Sequence, residues 1–157
     1  MKMKMLVMDV DGTLTDGHIY ISPEGECMKV FDVKDGYGIV KMQKEGVLPV
    51  IITGRTSKIV AERAKELNIK ELYQGLDNKL EKLQQVAKKY GISLKEIAYI
   101  GDDMNDLECI EICGLSACPA DAYMGIQQKV NFICHYEGGR GAVREFADYI
   151  MHINNER

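Results

Sequence analysis

Met5-Leu6-Val7-Met8-Asp9-Val10-Asp11-Gly12-Thr13 decides the fold: four apolar residues run straight into a doubly acidic turn that contains glycine. An apolar run this short, closed by a turn, reads as a buried strand. Residues two apart on a strand share a face, so Asp9 and Asp11 project together where the strand ends. Gly12 lets the backbone bend sharply and bring main-chain N–H groups near an anion. Two carboxylates so close repel unless a cation or a shared proton relieves them, and a divalent metal with hard oxygen ligands is the obvious relief. The spacing is not that of a calcium loop, which needs glycine at its sixth position and glutamate at its twelfth. Counted from Asp9, those positions hold Leu14 and Tyr20. The plainer alternative is an ordinary acidic strand-to-loop turn, a common feature of soluble proteins.

Two more apolar runs end in polar motifs: residues 48–52 lead into Thr53-Gly54-Arg55, and residues 97–100 into Gly101-Asp102-Asp103. Helical stripes lie between them, with apolar residues three or four apart at Ile59, Val60, Ala64 and Leu67, at Leu80, Leu83, Ala87 and Tyr90, and at Val143, Phe146, Ala147 and Ile150. Strands are expected at 3–10, 48–52, 97–100 and 115–117, with weaker ones at 72–73 and 132–133. Strands alternating with helices predict an α/β fold, a mainly parallel sheet with right-handed crossovers and helices on both faces. Pro49 suits the start of a strand or an edge. Gly91 is placed to close the helix over 78–90 in a left-handed conformation. From 16 to 31 the pattern changes to Ile19-Tyr20-Ile21, a Pro23-Glu24-Gly25 turn, and Cys27-Met28-Lys29-Val30-Phe31. That predicts a β-hairpin flap inserted after the first strand.

With 157 residues, 46% hydrophobic and 28% charged, the chain has the size and composition of one globular domain over 1–157. The longest apolar stretch, residues 47–52, is far short of a membrane span, and the first residues lack a secretion signal, so a cytoplasmic location and no membrane partner are expected. Five cysteines, Cys27, Cys109, Cys113, Cys118 and Cys134, include no C-x-x-C pair and are expected to be buried, reduced thiols. A net charge of −4 argues against a nucleic-acid partner. An anionic substrate must then be attracted locally, by a metal and a few Lys and Arg.

Ligands of open parallel sheets bind beyond the carboxyl ends of the strands, where Asp9, Thr53 and Asp102 would converge. Phosphoryl transfer needs a nucleophile, a metal to neutralise phosphate oxygens, donors for the equatorial oxygens and an acid for the leaving alkoxide. Asp9 is the candidate nucleophile, forming an aspartyl-phosphate, and Asp11 the acid that becomes the base for water. Mg²⁺ would be held by Asp9, the carbonyl of Asp11, and Asp102. Thr53 and the N–H of Gly54 would donate to phosphate, and Lys79 would supply positive charge. Alone, Lys79 reads as a solvated lysine; its place in the ordered series argues otherwise. Asp103 and Asp106 either cap the following helix or orient the metal ligands and the lysine.

This ordered set resembles the haloacid dehalogenase superfamily of phosphohydrolases, with its Asp-x-Asp, strand-end Thr or Ser, Lys and closing acidic pair. Over nearly the whole chain it looks closer still to the family of 3-deoxy-D-manno-octulosonate (KDO) 8-phosphate phosphatases. The stretches that carry this likeness are 9–17, 31–38, 54–57, 73–75, 101–106 and 138–145. The resemblance implies a Rossmann-like fold without a cap domain and hydrolysis of a sugar-acid phosphate in lipopolysaccharide precursor synthesis. It also implies a homotetramer whose neighbours close the active site, with Arg55 and a neighbour's Arg63 meeting the substrate's acid and hydroxyl groups. Residues 138–141 would belong to a tail covering a partner's site. Thr13 stands where the family usually has valine, and Lys34 where arginine is common. Relatives acting on nine-carbon keto-deoxy-sugar 9-phosphates tend to have glutamate at the position of Arg55, so Arg55 favours the eight-carbon substrate. Other readings are a phosphomutase with the same intermediate, and a non-catalytic tetramerisation subunit beside a sugar-nucleotide enzyme.

Overall fold

In the computed structural model, which describes residues 1–156, the elements run in the predicted alternation. The order is β1 (Met5–Met8), β2 (Tyr20–Ser22), β3 (Gly25–Met28), α1 (Val33–Lys44), β4 (Leu48–Ile52), α2 (Lys58–Glu66), β5 (Glu71–Tyr73) and α3 (Lys79–Tyr90). There follow β6 (Ile97–Ile100), α4 (Leu107–Ile112), β7 (Leu115–Cys118), α5 (Met124–Gln127), β8 (Phe132–Ile133) and α6 (Ala142–Asn155). Six strands form one sheet in the order β5-β4-β1-β6-β7-β8, each neighbouring pair parallel. β2 and β3 pair antiparallel as a separate hairpin between β1 and α1. This is the Rossmann-like α/β fold that the resemblance to the haloacid dehalogenase hydrolases implies.

Alternation along β1 sends its residues to two cores. Leu6 and Met8 join the face packed by α1, α2 and α6, while Met5 and Val7 join the face packed by α3 and α4. The α6 stripe predicted at Val143, Phe146, Ala147 and Ile150 is fully buried in the first core. Truncating Phe146 to alanine there would cost about 3–5 kcal/mol. Pro49 pairs with Leu6 as the second residue of β4, close to the start of an interior strand. Gly91 ends α3 at φ +64°, the left-handed cap that its position suggested.

Two expectations need correction. The first strand is shorter than 3–10: regular pairing stops at Met8, because the chain beyond it turns to make the acidic loop. Four cysteines are buried, but Cys27 is exposed, since it lies on the hairpin rather than in either core. No helix among the described residues is long and apolar enough to cross a membrane.

Candidate active site

Because β4, β1 and β6 are adjacent, the residues following their carboxyl ends are neighbours in space. Thr53, Asp9 and Asp102 line one cleft of about 160 Å³, together with Asp11, Gly54, Arg55, Asp103 and Asn105. The loop that carries the two leading carboxylates is tightly wound. The carbonyl of Val10 accepts N–H bonds from Thr13, Leu14 and Thr15 at 3.1, 2.9 and 3.1 Å. The Thr15 hydroxyl oxygen accepts from Gly12 and Gly17, each at 3.2 Å. Gly12 has φ +87°, and a Cβ there would stand 1.9 Å from Asp102 Oδ2, so only glycine permits both the turn and the approach.

Residues 138–141 back this loop within the same chain. Gly139 N–H donates to the carbonyl of Thr13 at 3.0 Å, and a Cβ on Gly138 would meet the Gly12 carbonyl oxygen at 2.0 Å. The lack of side chains on these glycines lets two backbones touch.

Lys79 opens α3, where the Asn78 side chain caps the helix by accepting from Glu81 N–H at 3.0 Å. Its ammonium lies 2.9 Å from Asp9 Oδ1 and 2.9 Å from Asp106 Oδ1, with the side chain only 3% exposed. A lysine buried so fully is tolerated because it is paired on both sides. Asp106 is completely buried, and both its oxygens are engaged. Oδ1 also accepts from the Tyr99 hydroxyl at 2.6 Å, while Oδ2 accepts from the backbone N–H groups of Asp102 and Asp103 at 3.1 and 3.4 Å. The two options for Asp106 are therefore combined: it closes the turn that Asp103 caps, and it holds the lysine. Asp103 caps by accepting Met104 N–H at 2.7 Å and also lines the cleft.

Negative charge exceeds positive charge around this lysine. Burial raises the pKa of Asp9, and Asp106 adds to the rise against the pull of Lys79. Burial, followed by the Asp9 charge, pushes Asp102 to about 9. Burial would lower Lys79, but Asp9 and Asp106 outweigh it and hold the ammonium more firmly protonated than usual. Oxygens of Asp9, Asp102 and Asp106 lie within 4.8 Å of one another, close enough for one metal ion. Since four donors already occupy Asp106, Asp9 and Asp102 are the carboxylates left for a cation. Hard oxygens short of positive charge suit a divalent ion.

Several groups at the site have no sequence signal of their own. Tyr99 sits in an apolar strand and reads as core, yet its hydroxyl reaches Asp106. Lys29, just beyond β3, places its ammonium 2.5 Å from Asp11 Oδ1 and 3.1 Å from Glu26 Oε2, with its side chain 2% exposed. Glu26 also accepts from the hydroxyl of Ser57, the residue that caps α2. Burial alone would raise the Glu26 pKa, but Ser57 and Lys29 lower it overall. Arg55 is half exposed and loosely held, 4.0 Å from Asp11 and 3.9 Å from Glu26. Arg63 lies elsewhere, on α2. It stacks over Phe31 at 5.5 Å, donates to the Asp32 carbonyl at 3.2 Å, and is not among the residues lining the cleft of its own chain.

Comparison with known proteins bears on this arrangement. The family of haloacid dehalogenase-like hydrolases matches residues 69–146. A KDO 8-phosphate phosphatase from Salmonella typhi is 42% identical over 148 residues, covering 94% of this chain and 79% of that protein. The crystal structure of the Yersinia pestis KDO 8-phosphate phosphatase superposes with a TM-score of 0.96 at 38% identity, over 98% of this chain and 83% of that one. The Moraxella catarrhalis phosphatase, solved with magnesium, phosphate and KDO, gives a TM-score of 0.94 at 40% identity, over 98% of this chain and 88% of that one.

Proposed function

Because the chain belongs to the haloacid dehalogenase-like hydrolases and is a phosphatase, we propose that it hydrolyses a sugar-acid phosphate with Mg²⁺, converting KDO 8-phosphate to KDO and phosphate. The observation that carries the mechanism is the buried ammonium of Lys79 between Asp9 and Asp106, beside Asp102. The substrate assignment rests on the named relatives, one of them solved with KDO.

In this reading a carboxylate oxygen of Asp9 attacks phosphorus while the bond to the sugar oxygen breaks. Asp11 gives that oxygen its proton, then takes one from the water that attacks the aspartyl-phosphate, and phosphate leaves with Asp9 restored. Thr53 and the N–H of Gly54 donate to the equatorial oxygens, and Lys79 opposes their charge. Asp106 and Tyr99 keep Lys79 aimed, and Asp103 fixes the turn. Mg²⁺ held by Asp9, the carbonyl of Asp11 and Asp102 would neutralise phosphate oxygens as a Lewis acid. Arg55, loosely paired and half exposed, is free to take the substrate carboxylate, a role suited to a planar guanidinium. Arg63 of a neighbouring subunit would reach the same substrate in a cytoplasmic homotetramer.

Phosphate release from a panel of sugar phosphates, with Mg²⁺ and with EDTA, tests this reading. KDO 8-phosphate is expected to be turned over fastest, and only with the metal. Turnover undiminished by EDTA contradicts the mechanism; preference for a nine-carbon 9-phosphate replaces the substrate. Transfer to a sugar hydroxyl in preference to water would mark a mutase.

A further inference from the structure

The hairpin is held at the edge of the cleft, because a buried cation ties it to one of the proposed reacting groups. Lys29 follows β3 directly, and its ammonium bridges Asp11, on the catalytic loop, to Glu26, on the hairpin itself. An exposed ion pair contributes little, but this ammonium is almost wholly removed from water and its position is set by two carboxylates. On its far side Glu26 is fixed by the Ser57 hydroxyl, and Ser57 in turn caps α2 through the N–H groups of Ile59 and Val60 at 3.2 and 3.4 Å. The chain of contacts thus runs from a helix of the main body, through the flap, to Asp11.

The two oxygens of Asp11 are not equivalent in this arrangement. Oδ1 faces Lys29 at 2.5 Å, whereas Oδ2 faces Arg55, which lines the cleft, at 4.0 Å. An ammonium only donates hydrogen bonds, so the oxygen it engages is best left as a pure acceptor and the proton falls to the other oxygen. Glu26 balances the charge of the ammonium, which therefore pins the carboxylate without adding a net positive charge beside it.

We propose that Lys29 is a positioning residue for the hydrolysis, clamping Asp11 Oδ1 from the flap so that Oδ2 carries the proton toward the departing sugar oxygen. The inference rests on the acid role proposed for Asp11. It makes the seated hairpin a condition of proton delivery, so that a displaced flap leaves phosphorus accessible but the leaving group unprotonated.

Leaving-group dependence separates this role from plain packing. A sugar alkoxide needs the proton, whereas p-nitrophenolate departs without it, and kcat/KM reports the step in which either one leaves. In Lys29→Met, kcat/KM for a primary sugar phosphate is expected to fall on the order of 10²-fold, as for loss of general acid catalysis, with a much smaller fall for p-nitrophenyl phosphate. Lys29→Arg should restore much of the difference. The pair Glu26→Gln with Lys29→Met removes the carboxylate that loses its ammonium in the single variant, and should show the same selectivity in a protein whose melting temperature matches wild type. Asp11→Asn is the reference. Equal losses on both substrates in the lysine variants, beside a selective loss in Asp11→Asn, overturn this inference alone. Equal losses in Asp11→Asn overturn the acid role itself and the inference with it.

Discussion

Replacing Lys79 by methionine keeps most of the side-chain volume and removes the one ammonium that touches both Asp9 and Asp106. Breaking a buried pair by removing one partner costs about 3–5 kcal/mol, because the other charge stays buried without compensation. For a domain of this length that corresponds to roughly 6–20 °C in melting temperature. The deficit should depend on pH in a definite direction. Without the ammonium, Asp9 holds a proton still more tightly than burial already makes it, so the folded variant gains protons as pH falls. Lys79 itself is raised above 10.5, so its own stabilisation is fully present throughout the neutral range and lost only in strong alkali. The variant should therefore lie further below wild type at about pH 8.5 than at about pH 6. Thermal melts of both proteins in EDTA measure this, with turnover followed in parallel and expected to be lost. A variant as stable as wild type at both pH values, or one that turns over normally, would refute the arrangement of charges described for the site.

Asp102 supplies a second test. Its pKa is raised from 3.8 to about 9, so the folded metal-free protein binds a proton there that the unfolded chain does not. Stability from this group is present at low pH and lost as pH rises toward its folded value. The lowered pKa of Glu71, at about 2, acts only below the ordinary carboxylate range, and the Asp35 shift to about 6 acts at or below that pH. The EDTA-treated protein should consequently melt higher at about pH 6.5 than at about pH 8.5, and added Mg²⁺ should stabilise it more at the higher pH. A metal-free protein that gains stability over this interval would contradict it. Gly138→Ala tests the loop support: its Cβ would stand 2.0 Å from the Gly12 carbonyl oxygen, so the loop of Asp9 and Asp11 must shift. Turnover should fall on the order of 10²-fold while the protein still folds, consistent with a displacement of about 1 Å at the reacting groups; unchanged turnover argues against it.

The parts of the fold that follow local patterns were legible. Apolar runs ending in polar motifs located β1, β4 and β6, and three-or-four spacing located α3 and α6 because each helix buries one stripe. The gathering of Asp9, Thr53 and Asp102 followed from strand ends alone, given a parallel sheet. Lys79 was visible only through its order in the series, since a lysine at the start of a helix ordinarily faces water. Tyr99 was hidden by its own neighbours: a tyrosine among Ile97, Ala98 and Ile100 carries the pattern of core whether or not its hydroxyl has a partner. Lys29 and Glu26 were hidden for a different reason. Their meeting with Asp11 and Ser57 depends on how the hairpin folds back against the main body, a non-local packing choice with no periodicity to betray it. The glycines at 138 and 139 signal flexibility by composition, yet their use here is close contact between backbones.

For the mechanism to hold, Asp9 must accept the phosphoryl group. Rapid quenching of the enzyme during turnover, followed by borohydride reduction and peptide mass spectrometry, reads this directly, because an aspartyl-phosphate is reduced to homoserine while a free carboxylate is not. Homoserine at position 9, formed only with substrate and Mg²⁺ present and absent from Asp9→Asn, is the predicted result. Reduction at another aspartate, or full turnover by Asp9→Asn, would contradict it.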